Sequence, residues 1–334
     1  MTSRARIAAL MAAIAVSAAT GGPARAQFSL GEQRVGTTSG TFLEIGIGAR
    51  AAALGESFVA VANDPTAVFW NPAGLASLQR QEISFNHISW PGDVNYEHVA
   101  YVLPVRKLGG SLALQVGALS TQIDETSELE PFGTGRSFTY TDALAGLAYA
   151  RRWTDKLLIG AGIKFVHEDL GSDVGGPTTS AALVDIGSIY YLGYGSVRIA
   201  TALTNFGSAL KPSGTFVSPT TGEVRSYDAF DAPTVFRYGV AFEPIENATQ
   251  KLTTSFEANQ PADNALRIKA GLEWTWSRRI ALRGGYNFGA DDLDFSAGAG
   301  FYAPIGRSQA EFDYAYTHGQ ALGAVNRLSL GLRF

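Results

Sequence analysis

The sequence predicts an all-β protein, a transmembrane antiparallel β-barrel of about 14 strands whose lumen holds an N-terminal plug. Glycine and aromatic residues are abundant, with 38 Gly, 13 Tyr and 19 Phe, and 46% of all residues are hydrophobic. Many segments of about ten residues alternate between apolar and polar side chains, as strands with one face in lipid do. The connections between these segments alternate between long and short, which is typical of outer-membrane barrels.

Residues 1–26 have the features of a secretory signal peptide. Arg4 and Arg6 precede an apolar run from Ile7 to about Ala19, and Ala24–Ala26 form a small-x-small cleavage pattern. The apolar run is shorter than the about 20 residues that a membrane-spanning helix needs, which disfavours the alternative of an anchor. We therefore expect export, and the barrel pattern places the protein in the cell outer membrane.

Residues 27–80 precede the first strand and lack its alternation. Pro72 fixes its own φ and disfavours helix at the residue before it, Gly74 permits a turn or a close backbone approach, and a Phe-Trp pair is large enough to fill a lumen. A segment this apolar, tethered to the periplasmic rim, is predicted to be buried in the lumen as a plug. Its motif is interpreted first as a structural turn and alternatively as a functional hatch element. The predicted plug motif consists of Phe69, Trp70, Asn71, Pro72, Ala73 and Gly74.

The remaining residues, 81–334, form the predicted barrel. The length of each alternating segment is close to the about 9–11 residues that a tilted strand needs to cross a bilayer. The predicted strands are 81–89, 96–103, 110–119, 138–150, 156–168, 179–191, 196–206, 234–243, 251–260, 265–276, 279–288, 293–302, 309–317 and 326–334.

Charged side chains fall on one face of the later strands. Each would cost about 2–4 kcal/mol near the bilayer midplane, so this face is predicted to line the lumen. Because the two signs interleave, the preferred interpretation is a lattice of ion pairs against the plug, and the alternative is a polar path. The predicted lumen charges are Arg237, Glu257, Arg267, Lys269, Glu273, Arg283, Asp294, Glu311, Asp313, Arg327 and Arg333.

The connections sort by length in a way that a soluble sandwich has no reason to show. The long connections all fall at odd positions counted from the first strand, which matches external loops alternating with periplasmic turns. The long ones include 120–137, 169–178, 207–233 and 318–325, and the short ones include 104–109, 151–155, 192–195 and 277–278. The longest, 207–233, is predicted to contact a partner or to fold as a lid over the barrel mouth.

The last strand has an entirely apolar face that ends on an aromatic residue. Leu328, Leu330, Leu332 and Phe334 alternate with polar residues and glycine. This pattern resembles the C-terminal signal that outer-membrane barrels present to the barrel-assembly machinery. We therefore expect that machinery and the outer-membrane lipid among the partners.

The charge balance and the lack of cysteine exclude several classes of function. The chain has a net charge of −4 and no Cys. A mildly acidic chain lacks the basic surface that nucleic acids require. Without cysteine there is no disulfide, thiolate nucleophile or cysteine-ligated metal. We predict no cofactor, no metal site and no nucleic-acid partner.

Segments along nearly the whole of the chain after the signal peptide resemble the PorV/PorQ family of FadL-like outer-membrane barrels. The matching segments are 48–76 with its Asn-Pro-Ala signature, 86–104, 203–207, 232–242, 271–289 and 312–334. The resemblance implies a barrel of fourteen strands with an N-terminal hatch. It also implies a part in type IX secretion, with secreted cargo or secretion-system proteins as partners. The alternative that it implies is a FadL-like channel for hydrophobic small molecules.

An outer-membrane enzyme is the third class of function that the residues bring to mind. Asp291, Asp292 and His318 fall near the predicted external rim, where an Asp-His hydrolase could be imagined. The chain holds 4 His and shows no nucleophile motif, so solvated loop acids explain these residues better. We predict that the protein is not an enzyme.

Overall fold

The computed structural model describes residues 34–126, 129–218 and 220–334. The predicted signal peptide, 1–26, and the first residues of the predicted plug lie outside the described residues. The described chain forms one closed antiparallel barrel of 14 strands, which confirms the predicted fold class. A separate two-stranded hairpin stands in one loop.

Sixteen strands follow one another along the described chain, and two of them form the loop hairpin. They are β1 Glu82–Trp90, β2 Val94–Val105, β3 Gly110–Asp124, β4 Ser137–Arg152, β5 Leu157–Asp169, β6 Thr178–Tyr191, β7 Arg198–Gly207, β8 Thr215–Val217, β9 Val224–Ser226, β10 Val235–Glu246, β11 Gln250–Pro261, β12 Arg267–Trp276, β13 Ile280–Phe288, β14 Leu293–Ile305, β15 Ser308–Gly319 and β16 Val325–Arg333.

Each barrel strand pairs with its neighbour in sequence, β7 pairs with β10 across the hairpin, and β1 pairs with β16 to close the barrel. All the predicted barrel strands are present, and several extend beyond their predicted ends, as β3 does by reaching Asp124. The predicted long loop over 207–233 contains two short strands, β8 and β9, that the sequence pattern did not indicate. Strands of three residues are too short to show an alternation.

The two faces of the barrel wall follow the alternation of apolar and polar side chains along each strand. On β16 the side chains of Leu328, Leu330 and Leu332 are exposed on the outside, whereas Arg327 is buried inside. Phe334 is also exposed, and its backbone N–H donates to the carbonyl of Gln81 (3.0 Å), beside the β1–β16 seam. The role of these apolar residues as an assembly signal stays a prediction.

Single turns of helix build the plug. The described segment contains 3₁₀-helices at Thr41–Glu44 and Pro72–Ser77 and α-helices at Ala49–Ala53 and Ala67–Trp70. Helices this short are unstable in isolation, so burial inside the wall must hold them. Among the described residues, no helix is long and apolar enough to cross a membrane.

The plug runs through the lumen from one rim to the other. At the rim that carries the long loops, Thr38 bridges to Asp231 and the N–H of Gly40 donates to Glu168 Oε1 (2.9 Å). At the rim that carries the short turns, the Leu78 carbonyl accepts from Ser111 Oγ (3.3 Å) shortly before β1 begins. We call these ends the long-loop rim and the short-turn rim.

Glycines on the inner face of the wall let the plug backbone touch the strands directly. A Cβ atom on Gly285 would lie 2.0 Å from the backbone nitrogen of Gly55, and one on Gly160 would lie 2.4 Å from the carbonyl carbon of Pro72. No side chain fits in either place. Gly160, Gly271 and Gly285 face plug backbone in this way, whereas Gly187, Gly239 and Gly298 face plug side chains.

Replacing Gly285 by Val should destabilise the docked plug. The added Cβ would collide with backbone atoms that cannot move aside alone, and overpacking of this kind costs about 1–3 kcal/mol or more. The measurement is the free energy of unfolding in detergent. Gly284→Val is the matched control, because that glycine is the adjacent residue on the outer face with only a backbone oxygen 4.0 Å from its Cβ position. Equal stability of the two variants would contradict the glycine argument.

Candidate functional site

Asn71 fastens the plug to the barrel wall. Its side chain is fully buried, and Oδ1 accepts from the N–H of Ala73 (3.1 Å), which caps the 3₁₀-helix that begins at Pro72. Its Nδ2 donates to the carbonyl of Val59 (3.0 Å) within the plug and to that of Ser188 (3.2 Å) on β6. One amide therefore closes a turn, ties two plug segments together and binds the wall.

The residues after Asn71 lie flat on the wall. Pro72 and Ala73 pack their backbone on Gly160 of β5, and a Cβ on Gly74 would lie 2.1 Å from the carbonyl oxygen of Ala62. Pro72 occupies the first helical position, where its missing N–H costs nothing. The geometry supports the interpretation of this motif as a structural turn that docks the plug.

Trp70 is the largest fully buried side chain among the described residues. It is the centre of an aromatic cluster with Phe58 and Phe69, which we call the seal. Its Nε1 donates to the carbonyl of Ile47 (2.9 Å), and its ring meets those of Phe58 and Phe69 edge to face at 6.1 and 5.2 Å. The guanidinium of Arg237 lies 5.4 Å from the ring centroid, within cation–π range. The predicted Phe-Trp pair thus packs against a predicted lumen charge.

Three of the eleven predicted lumen charges, Lys269, Glu273 and Arg327, pair with charged residues of the plug. Glu273 on β12 accepts from Arg50 of the plug (2.8 Å) and from Arg283 on β13 (2.7 Å), and Arg283 also pairs with Asp313 on β15. Arg283 Nη2 reaches the hydroxyl of Tyr302 (2.8 Å) as well. A buried charge left without its partner is costly, so each of these residues holds the others in place.

A second cluster is centred on Glu56 of the plug. Lys269 Nζ lies 3.0 Å from one of its carboxylate oxygens, and Arg327 Nη2 lies 3.6 Å from the other. Arg327 also donates to Thr317 Oγ1 (2.9 Å), and its guanidinium lies 5.9 Å from the centroid of the Trp90 ring. The plug therefore supplies an acid where the wall supplies two cations.

The other predicted lumen charges lie nearer the rims. Arg333 pairs with Glu82 across the seam (2.6 Å), and Arg267 lies 3.5 Å from Asp291 at the long-loop rim. Glu311 lines a small cavity of about 40 Å³ beside Arg50. Arg237 lies 3.7 Å from Glu257, which accepts from the N–H groups of Phe58 and Val59, and Asp294 contacts His318 (3.2 Å).

Sequence reasoning missed Arg50 and Glu56. They are the only charged residues between Gly46 and Ala62, in an otherwise apolar segment. Isolated charges in a segment predicted to be buried need partners, and that signal would have found them. It would not have identified the partners on the wall, because they lie more than two hundred residues away on β12 and β16.

A cavity of about 480 Å³ lies between the plug and the long-loop rim; we call it the outer cavity. Plug residues form its floor, β1–β4 form an aromatic and aliphatic side, and β12–β16 with their loops form a polar side. Its lining consists of Thr41, Phe42, Glu44, Ile45, Gly55, Glu56, Trp90, Val94, Leu119, Tyr140, Asp142, Arg267, Asn287, Ala290, Asp291, Asp292, Leu293, Ser296, Thr317 and Leu322.

Glu44 is the acid on the floor of the outer cavity. Its side chain is exposed to the cavity, within the space that the barrel wall surrounds. This enclosure, together with the nearby Asp263 carboxylate, raises the pKa of Glu44 to about 7. The cavity floor therefore gains negative charge as the pH rises through neutrality.

The acids and the histidine considered for an enzyme have structural contacts. Asp292 accepts from the N–H groups of Ala321 (2.6 Å) and Leu322 (3.2 Å), which shapes the loop after β15. Asp291 faces Arg267, and His318 faces Asp294. Within the described ranges, no group of three or more His, Asp or Glu side chains is arranged to hold a metal ion.

The base of the long loop, 208–234, packs on the plug. Leu210 is fully buried, pairs with Phe230 through backbone hydrogen bonds of 2.8 Å, and lies against Gly40. The β8–β9 tip instead leaves Val217 and Val224 exposed. The base of the loop therefore lies against the start of the plug, whereas the tip leaves apolar side chains exposed.

Part of the chain matches a family known from sequence alone. The model of an uncharacterised protein family (UPF0164) matches residues 10–164. A search of curated proteins found no match.

The chain resembles several solved outer-membrane channels. The toluene transporter TbuX of Ralstonia pickettii shares 13% identity, with 86% of this chain and 97% of that chain covered and a TM-score of 0.57. The monoaromatic hydrocarbon channel CymD shares 13% identity, with 86% of this chain and 97% of that chain covered and a TM-score of 0.56. The toluene transporter TodX of Pseudomonas putida shares 10% identity, with 84% of this chain and 96% of that chain covered and a TM-score of 0.53. At these identities the likenesses show the fold alone.

Replacing Asn71 by Asp should loosen the plug. The shape and the acceptor to Ala73 are kept, but both donated hydrogen bonds are lost and a carboxylate faces two carbonyl oxygens. Loss of buried hydrogen bonds of this kind costs about 1–3 kcal/mol, to be measured as the free energy of unfolding. In the control, Asn247→Asp, the exposed side chain only accepts, from Thr249 and Gln250, so stability should be unchanged. A stability loss shared by both variants would contradict the docking role.

Replacing Trp70 by Ala should open the seal without opening the barrel. Truncating a buried aromatic costs about 3–5 kcal/mol locally, whereas the strand-to-strand hydrogen bonds do not involve the plug. We expect a heat-modifiable barrel that still inserts and conducts small ions in planar bilayers. Trp276→Ala is the control, because that side chain faces outward. A Trp70→Ala protein that fails to insert would show that the plug guides assembly instead.

Proposed function

We propose that the protein is an outer-membrane channel for hydrophobic small molecules. The observation that carries the proposal is the outer cavity, which lies directly above a plug that fills the lumen. Its volume of about 480 Å³ falls within the roughly 300–1,000 Å³ of small-molecule sites. One side of it is built from apolar and aromatic side chains, among them Phe42, Trp90 and Leu119.

The likeness to hydrocarbon channels supports the proposal. TbuX and TodX are described as toluene transporters and CymD as a monoaromatic hydrocarbon channel. At 10–13% identity these likenesses establish fold only, so the support for the substrate class comes from the cavity. The localisation in the outer membrane is part of the same proposal.

The floor of the cavity and the seal belong to one stretch of chain, which provides a way to couple binding to opening. Phe42 and Ile45 line the cavity, and the carbonyl of Ile47 accepts the hydrogen bond of Trp70. A ligand that moves the floor therefore pulls on the central aromatic of the seal. Since the plug meets the wall through glycines and ion pairs, the opening is a shift of a docked segment.

The secretion role that the PorV/PorQ resemblance implies is our second proposal. The observation that favours it is the β8–β9 tip, which presents Phe216, Val217 and Val224 on a hairpin beyond the clamped base. Exposed apolar side chains on a loop of an outer-membrane protein fit a binding partner. Secreted cargo or a secretion-system protein would be that partner.

Blocking the outer cavity should stop the passage of hydrophobic solutes. Ala290 lines the cavity, so Ala290→Trp would fill part of it. In a Gram-negative host, we expect the wild-type protein to raise the rate of N-phenylnaphthylamine uptake several-fold above the empty vector, and Ala290→Trp to return it towards the vector. Ala321→Trp, on an exposed part of the neighbouring loop, is the matched control and should behave as wild type.

Uptake equal to the empty vector, from wild-type protein that is correctly inserted, would contradict the channel. If that protein also co-purified with exported proteins that share a C-terminal domain, the secretion role would replace it. Equal inhibition by Ala290→Trp and Ala321→Trp would show that passage does not use the outer cavity.

A further inference from the structure

The lining of the outer cavity is strongly acidic. It holds the carboxyl groups of Glu44, Glu56, Asp142, Asp291 and Asp292, from the floor and from both sides, against the single guanidinium of Arg267. Glu56 is neutralised by Lys269 and Arg327 behind the lining, and Asp291 faces Arg267. Within the described ranges, Glu44 and Asp142 have no ion-pair partner.

Asp142 has a buried oxygen that no protein group satisfies. Only 2% of the residue is exposed. Its Oδ2 accepts from the hydroxyl of Tyr140 (3.0 Å), whereas Oδ1 has no partner among the described residues. The neighbouring acid, Glu168, is occupied by Ser39 and Gly40 at the start of the plug. Leaving a buried acceptor unpaired is costly, so a donor that reached this oxygen from the cavity would be stabilised.

A second unpaired acceptor lines the same cavity. Asn287 Oδ1 on β13 is buried and has no partner among the described residues. Asp142 lies on β4 and Asn287 on β13, so two residues with unpaired acceptors line one space from different strands. The aromatic residues Phe42, Trp90 and Tyr140 belong to the same lining.

We propose that the outer cavity selects small aromatic molecules that carry a hydrogen-bond-donating head group, ammonium above hydroxyl, and that it excludes carboxylates. This inference rests on the proposed channel and specifies its substrate class. The ring would lie on the aromatic side, and the head group would donate to the free oxygen of Asp142. A cation gains most, because a hydrogen bond between charged groups is stronger than one between neutral groups.

A carboxylate has no comparable place in the cavity. The only cation in the described lining, Arg267, faces Asp291, so an anion would have to displace that acid. The two cations nearest the floor are held by Glu56. An anionic head group would therefore meet Glu44 and Asp142 without compensation, and like charges at short range repel.

The experiment uses benzylamine, benzyl alcohol and benzoate, which share a ring and differ in the head group. Binding is measured by calorimetric titration of the protein in nanodiscs of zwitterionic lipid at neutral pH. We expect benzylamine to bind at least about tenfold more tightly than benzoate, the factor that one charge-assisted hydrogen bond supplies, with benzyl alcohol between them.

Two variants tie the preference to Asp142. Asp142→Asn keeps the shape and an acceptor but removes the charge, so it should weaken benzylamine binding about tenfold and change benzyl alcohol binding little. Asp155→Asn removes an acid from an exposed short turn and should bind as wild type does. Heat-modifiable mobility of each variant in gels checks that the barrel is intact.

The outcomes separate this inference from the proposed channel. Equal binding of the three compounds, or tightest binding of benzoate, would overturn the selectivity while the passage of hydrophobic molecules stands. Equal binding of benzylamine by Asp142→Asn and Asp155→Asn would overturn the selectivity in the same way. Binding of none of the three compounds, together with no uptake of N-phenylnaphthylamine, would overturn both.

Discussion

Direct backbone contact between the plug and the wall is the constraint on which the rest of the structure depends. Gly55 touches Gly285, and Pro72 touches Gly160, at separations where no Cβ atom fits. Such contacts are possible only if the wall presents glycine at the level and on the face where the plug passes. They bring the plug within hydrogen-bonding distance of strand carbonyls, as the bond from Asn71 to Ser188 shows.

Close contact also decides the electrostatics. Because the plug lies against the strands, Arg50 reaches Glu273 and Glu56 reaches Lys269 without solvent between them. The lumen charges are thereby used to hold a segment in place, which leaves few of them for solutes. Glu44 and Asp142, which have no ion-pair partner among the described residues, line the outer cavity, which begins toward the long-loop rim.

The barrel itself was predictable from the sequence, because lipid on one side and a filled lumen on the other impose a period of two on every strand. The outward row of β16 and the inward arginines of β10 and β13 follow from that alone. The hairpin β8–β9 was not predictable, since three residues carry no period. Neither were the partners of Arg50 and Glu56, nor the unpaired oxygen of Asp142, because they depend on which residues meet after the chain has folded.

The route of the plug has a topological consequence. Residues near Thr38 lie at the long-loop rim, Leu78 lies at the short-turn rim, and β1 then turns back into the wall. A barrel that had already closed could take up this segment only by threading it end first through the lumen, a space that the side chains of the segment fill. Closing the seam between β1 and β16 around a segment already in position needs no threading. The barrel then closes around a plug that is already in place.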